Sequence, residues 1–261
     1  MPVHLMLQKK GGVGKSYISS LFLQYLTDRG KMAIGIDIDP TTPTLSQIKK
    51  LQTTRLELLK KQNDGSLLVD KNTFSDLYEQ ISKGADQNTH FVIDCGASGY
   101  HDMVSFLSSS AFIPFLQEQG ISVYIHSIIQ GGNNLTATIA SLGELLVLFP
   151  SAPFVMWLNA YRPDLQIEAG TGKPFKETRV YQEYYSRIAT VINVPEYGYF
   201  SEDSEHMFAS QKTIQQILAE GVFPTMRAHV LTKYRDHFWE VLDKAMTDIE
   251  AYEFDQLEAN K

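Results

Sequence analysis

A chain of 261 residues, 43% apolar and 20% charged, is long enough to bury a large core and has an ordinary globular composition. Its formal charge of -7 excludes a surface that attracts nucleic acid as a whole, leaving only a local basic patch for that role. One cysteine, Cys95, excludes an internal disulfide and fits a reducing cytoplasm, and no apolar run approaches the ~20 residues that span a bilayer.

The N-terminus opens on a strand-like segment rather than a secretory leader. Short apolar runs then alternate with longer amphipathic ones, which predicts an α/β fold: a mainly parallel twisted sheet flanked by helices on both faces. Strands are expected at Val3–Gln8, Met32–Ile38, His90–Asp94, Ile121–Ser127, Phe154–Asn159 and Thr190–Val194, with a weaker one at Arg55–Leu59. The first helix carries Ile18, Leu21, Phe22, Tyr25 and Leu26 on one face, and Gly30 is placed to end it. A second runs from about Asn134 to Leu148, stopping before Pro150. The last follows Pro224 with a stripe of Met226, Val230, Tyr234, Phe238, Val241, Ala245 and Ile249. Asn159–Pro174 and Pro195–Asp203 read as loops. With no repeat or linker visible, residues 1–261 are expected to form one domain that ends in a long helix.

The strongest chemical signal is Lys10-Gly11-Gly12-Val13-Gly14-Lys15-Ser16, directly after a strand and before a helix. Glycines let the backbone curl until its N–H groups, from Gly11 to Gly14, point inward at a phosphate chain. The helix N-terminus adds partial positive charge. Lys15 is then placed for the β- and γ-phosphates and the Ser16 hydroxyl for a Mg²⁺ shell, with Tyr17 next along the helix as a further nucleotide contact. The bland alternative is a glycine-rich turn that binds nothing. Gly-Lys-Ser in a strand–loop–helix setting speaks against it.

Lys-Gly-Gly-x-Gly-Lys-Ser/Thr is the deviant Walker A form, and through it the chain resembles the ParA/MinD family of P-loop ATPases. The resemblance implies ATP and Mg²⁺ as ligands. It also implies that Lys10 crosses an ATP-sandwiched homodimer to reach the partner's nucleotide; a solvated surface lysine is the alternative. The second strand ends Asp37-Ile38-Asp39-Pro40, and Pro40 favours an extended Asp39 at the sheet's C-terminal edge, where α/β folds bind ligands. By resemblance this is switch I: Asp39 positions or deprotonates the attacking water near the metal, and Asp37 supports it. A cap on the next helix is the competing role. The family often has Gln after this proline, where the chain has Thr41 and Thr42. His90 to Asp94 is a hydrophobic strand ending in an acid, the Walker B pattern, so Asp94 is a Mg²⁺ candidate.

Cys95-Gly96-Ala97-Ser98-Gly99 comes next as switch II, with Cys95-Gly96 where many relatives have Thr-Pro; Cys95 reads as a small buried residue rather than a nucleophile. Asn159 ends a later strand, where the family uses asparagine to bind the purine; a turn-opening asparagine is the alternative. Ala160-Tyr161-Arg162 after it is not the Asn-Lys-x-Asp element of many GTPases, which favours ATP. The histidines are scattered along the chain and suggest no zinc site.

Within the family the chain is similar to a plasmid conjugal-transfer branch. The shared segments are Leu7-Gln8, Asp94 to Ser98, Leu116-Gln117-Glu118, Val123 to His126, Gly131-Gly132, Trp157-Leu158-Asn159 and Lys173-Pro174-Phe175. This implies a slow ATPase switch, cytoplasmic and dimerising on ATP, that works through plasmid transfer or stability proteins. The alternative is a partition ATPase on nonspecific DNA, using Arg227, Lys233 and Arg235, or Lys49, Lys50, Lys60 and Lys61. Glu240, Asp243, Glu250, Glu253, Asp255 and Glu258 offset the first group, and the same acidic end argues against a membrane anchor. A metabolic enzyme or maturase on this fold would want added cysteine ligands, which the chain lacks.

Overall fold

In the computed structural model, described over residues 1–61, 67–70, 72–84, 88–159, 175–196, 206–207 and 209–259, the apolar runs build a seven-stranded parallel sheet. Its strands are β1 (Pro2–Met6), β2 (Ala33–Asp37), β3 (Thr53–Arg55), β6 (His90–Asp94), β7 (Ser122–Gln130), β8 (Phe154–Asn159) and β9 (Ile188–Val194). They lie in the order β3-β2-β6-β1-β7-β8-β9, while β4 (Leu59–Lys61) and β5 (Leu67–Val69) form a separate antiparallel pair. The described helices are α1 (Lys15–Asp28), α2 (Asn72–Lys83), α3 (Tyr100–Ser109), α4 (Phe112–Glu118), α5 (Leu135–Leu148), α6 (Arg179–Tyr184), α7 (Ile214–Ala219) and α8 (Thr225–Ala259).

Alternation along the strands feeds two apolar clusters. Val3, Leu5, Ile36 and Phe91 pack with residues of α2 to α5, whereas Met6, Val92 and Trp157 pack with residues of α1, α7 and α8. The weak segment at Arg55–Leu59 is not one strand. Its partner β2 ends at Asp37, so the ladder closes with the Leu56 N–H on the Asp37 carbonyl, and Leu59 starts the small antiparallel pair. The two expected loops lie outside the described residues, apart from Asn159, Pro195 and Glu196.

Helix α1 ends in a hydrogen-bonded hook: Gly30 takes φ +70°, its N–H bonds the Thr27 carbonyl, and the Lys31 N–H reaches back to Leu26. Beyond the expected stripe, the residues from Ile18 to Leu26 are all buried, because α1 is covered by the sheet on one side and by α8 on the other. Helix α8 is pinned to it: Arg29 makes two bonds to Asp243, which also accepts from Tyr25, and Trp239 donates to Asp28. The stripe assigned to α8 needs correction. Met226 is 65% exposed, and the buried line runs Leu231, Tyr234, Phe238, Leu242, Ala245 and Ile249. Steps of four residues overshoot the 3.6-residue turn, so the series 226, 230, 234, 238 rotates off the sheet face at its start.

Three histidines scattered in sequence meet on adjacent strands. The Trp157 indole donates to His126 Nδ1 at 3.0 Å, His126 Nε2 lies 2.9 Å from His4 Nδ1, and His4 Nε2 lies 3.2 Å from His90 Nδ1. The indole can only donate, so the protons run one way: each imidazole is neutral with its hydrogen on Nε2. Burial holds the His126 pKa down to about 3 and that of His90 to about 4, with Lys31 and the N-terminus adding to the latter; His4 is also lowered well below its ordinary value. A folded pKa below the unfolded 6.5 means the stabilisation is complete above pH 6.5 and is lost as pH falls. The loss is about 1.4 kcal/mol per pH unit for each histidine. Urea midpoints should therefore be flat from pH 8 to 7 and fall steeply between 6.5 and 5. Unchanged midpoints down to pH 5 would rule out the neutral chain.

Candidate functional site

β1, β2 and β6 end side by side, and the segments that leave them converge on one cavity of about 430 Å³. It is lined by Gly11, Gly12 and Gly14 to Tyr17, by Asp39 and the threonines after it, and by Gly96 to Ser98. A larger hollow of about 570 Å³ lies at the opposite end of the sheet, near Ser122 and Tyr252, and has no phosphate-type loop. The smaller cavity therefore carries the chemistry.

The loop between β1 and α1 curls through Gly12 at φ +74° and Gly14 at φ +93°, both left-handed positions that suit glycine. Gly14 is also the N-cap of α1, so the helix N-terminus opens on the cavity. The Lys15 ammonium rests 3.4 Å from the Lys10 carbonyl. Burial lowers its pKa against the opposing pull of Asp94, Cys95 and Asp39, so the charge is poorly solvated and suited to a phosphate. The Lys10 side chain is exposed, and Tyr17 borders the cavity with its hydroxyl 3.5 Å from that of Tyr234.

Asp94 is fully buried at the end of β6. Its Oδ1 accepts from Ser19 at 2.9 Å, while Oδ2 has no hydrogen-bond partner. Burial and then the charge of Asp37 push its pKa up to about 6, against the hydroxyls of Ser16 and Ser19 and the charge of Lys15. A buried carboxylate oxygen without a donor, close to the Ser16 hydroxyl, fits a divalent cation or its water shell. Asp37 is a brace: Oδ1 accepts from the Asp39 N–H and Oδ2 from the Ser46 N–H, which fixes both ends of the segment after β2.

Asp39 is held by donors from Thr41, Thr42 and Ser98. Burial alone would raise its pKa, but the bonds from Thr42 and Thr41 outweigh that and hold it below the ordinary carboxylate range. The carboxylate lies flat on Gly96: a Cβ there would sit 2.1 Å from Asp39 Cγ. Asn159 is buried against the loop, donating through Nδ2 to the Val13 carbonyl at 2.9 Å, which leaves Oδ1 as its atom for a base. Cys95 is buried, and burial pushes its thiol pKa up, the reverse of an activated nucleophile.

Several contributors escape a sequence reading. Gln8 is buried, with Nε2 on the Ile128 carbonyl and Oε1 accepting the Lys10 N–H, so it sets the entry to the loop; Leu7-Gln8 is its only sequence trace. Ser19 bonds Asp94 from one turn inside α1 and belongs to no motif. Gly96 is needed for the close approach of Asp39.

This loop, with its acids on the neighbouring strands, is the architecture of a P-loop nucleotide-binding domain. The chain belongs to the CobQ/CobB/MinD/ParA nucleotide-binding family, whose domain model matches residues 5–251. It is 32% identical over 246 residues to a Protein TraL of Escherichia coli and 29% identical over 246 residues to another. Each alignment covers 93% of this chain and 98% of the relative. Among solved structures, the MinC:MinD cell division protein complex of Aquifex aeolicus shares the fold, with a TM-score of 0.50 and 14% identity over 91% of this chain and 95% of that one. No helix among the described residues is long and apolar enough to cross a membrane.

Two glycine substitutions separate close approach from open space. Gly96→Ala should cost about 1–3 kcal/mol by overpacking against Asp39. Gly11→Ala would meet only the Ala97 Cβ, at 3.6 Å, and should stay within about 0.5 kcal/mol of wild type. Urea unfolding of both variants is the measurement, and equal costs would contradict the packing.

Proposed function

We propose that the chain is a slow ATPase switch that binds ATP and Mg²⁺, dimerises face to face on ATP, and supports plasmid conjugal transfer through partner proteins. The observation that carries this is the convergence of the P-loop and Asp39 on one cavity, with an unpartnered Asp94 oxygen buried at the end of β6. The backbone from Gly11 to Gly14 cradles the phosphates, and Lys15 leaves the Lys10 carbonyl to neutralise the β- and γ-oxygens. Ser16 and Asp94, with Asp39 nearby, would hold Mg²⁺, which would supply charge for the phosphoryl oxygens. Asp39 orients the attacking water. Its lowered pKa suits that role better than proton abstraction. Tyr17 and the Asn159 oxygen face the nucleoside side.

Lys10, exposed at the mouth of the loop, is the residue to reach across a dimer. The transfer role rests on similarity to the two TraL proteins. A partition ATPase on DNA is the weaker reading, since Arg235 is paired with Asp236 at 2.7 Å and Lys60 lies 3.9 Å from Asp70.

Lys15→Ala should abolish ATP binding, and Asp39→Ala should keep binding while turnover falls about 100-fold. Equal turnover of Asp39→Ala and wild type would overturn the assignment. Light scattering of Asp39→Ala should show the mass double with ATP and Mg²⁺ but not with ADP, and Lys10→Ala should weaken only the ATP state. Deleting the gene should lower plasmid transfer more than inheritance at division. Tight, salt-sensitive binding of random duplex by the ATP form, with plasmid loss at normal transfer frequency, would favour partition instead.

A further inference from the structure

Asp39 carries more donors than a water-orienting carboxylate can use. Oδ1 accepts from the Thr41 N–H at 2.9 Å, the Thr41 hydroxyl at 3.0 Å, the Thr42 N–H at 3.1 Å and the Ser98 hydroxyl at 3.2 Å. A carboxylate oxygen has about two lone-pair sites, so Oδ1 is oversubscribed. Oδ2 accepts from the Thr42 hydroxyl at 3.0 Å and lies against Gly96, where even a methyl group would sit 2.1 Å away. Oδ1 is therefore closed to a further donor, while Oδ2, which faces Gly96, keeps one acceptor position.

The two backbone donors and the two threonine hydroxyls belong to the same turn as Asp39 and move with it. Ser98 does not. It comes from the segment after β6, and its hydroxyl touches both Asp39 Oδ1 and, at 3.1 Å, the Thr41 hydroxyl. The contact is thus the side-chain tie between the two segments that flank the phosphate loop. Ser98, Thr41 and Thr42 are exposed, so the tie lies where a γ-phosphate or a partner protein can reach it. The one hydrogen of the Ser98 hydroxyl goes to Asp39 Oδ1 at 3.2 Å or to Thr41 at 3.1 Å, and either bond is cheap to release.

We propose that Ser98 is a latch that ties the Asp39 turn to the segment after β6 and holds the carboxylate off the attacking water, so that hydrolysis waits until the tie opens. Ser98 is a positioning residue in this scheme, acting through Asp39. The proposal rests on the water-orienting reading of Asp39. It supplies a physical reason for slow basal turnover: Oδ1 is already engaged and the turn that carries it is tied down. It also gives a use to the threonines that stand where relatives often carry Gln.

The test is steady-state ATP turnover of the full chain with Ser98→Ala and with Thr42→Val, beside Asp39→Ala and the Asp39→Ala/Ser98→Ala double variant. Ser98→Ala removes one exposed hydroxyl and should fold as wild type. Its kcat should rise roughly tenfold, about what one hydrogen bond to a charged group is worth, with KM for ATP within about twofold. Thr42→Val, which frees Oδ2, should act in the same direction. The acid limb of the pH–rate profile should move to higher pH in Ser98→Ala, because a donor that stabilises the carboxylate is gone. A merely structural role would not move it. The double variant should be as inactive as Asp39→Ala. A kcat that is unchanged or lower in Ser98→Ala, while Asp39→Ala is inactive, would overturn the latch alone. Wild-type turnover in Asp39→Ala would instead remove the reading on which the latch rests.

Discussion

The register of three parallel strands places every group in the cavity. Met6 pairs with Asp94, and Asp94 pairs with Asp37, so β1, β6 and β2 finish level with one another. Parallel strands end with their carbonyl edges on the same side, so the three connecting segments leave the sheet at one height. The glycine loop, the acid of β6 and the Asp39 turn therefore meet without any long connection. A one-residue slip of β6 would move Asp94 to the other face of the sheet and away from Ser19.

Within that frame, burial and hydrogen bonding sort three nearby carboxylates into different states. Asp94 is buried with one oxygen unmatched, and its pKa is raised. Asp37 is also raised by burial, although backbone donors from Ser46 and Asp39 oppose the shift. Asp39, less enclosed and heavily donated, goes the other way. A cation suits the first, bracing suits the second, and the third stays ionised. Lys15 is the matching cation: its own desolvation is only partly offset by the acids around it. A site of this kind gains from taking up a polyphosphate with its metal, since both supply the missing partners.

The back of the molecule contrasts with this face. Helix α1 is packed on nearly all sides, and α8 is tied to it through Asp243 and Trp239. Arg187 spreads its guanidinium over the carbonyls of Leu146, Phe149 and Ala152 and so closes the end of α5. Beneath the sheet the Trp157–His126–His4–His90 chain crosses four adjacent strands through side chains alone. Such a scaffold holds the loop still while the short, exposed hydroxyl contacts at its mouth remain easy to exchange.

Local rules made the phosphate loop, six of the sheet strands and three helices legible in the amino-acid order. Gly-Lys-Ser after an apolar run, glycines at tight turns and a carboxylate at a strand end each arise from chemistry within a few residues. Asp39 lies at the cavity, Asp94 against Ser19 and Asn159 against the Val13 carbonyl for the same reason: parallel strands bring their C-terminal ends together. Contacts between distant segments were not legible. Gln8 reads as an ordinary polar residue until the Ile128 carbonyl is seen beside it, and His4, His90 and His126 are far apart in the chain yet touch across the sheet. The α8 stripe failed over its first turns because a helix's buried side is chosen by what it lies on, and α1 and the sheet selected Leu231 over Met226. Asp39's tie to Ser98 belongs to the same class: the hydroxyl reaches it from 59 positions away, a distance that only the fold removes.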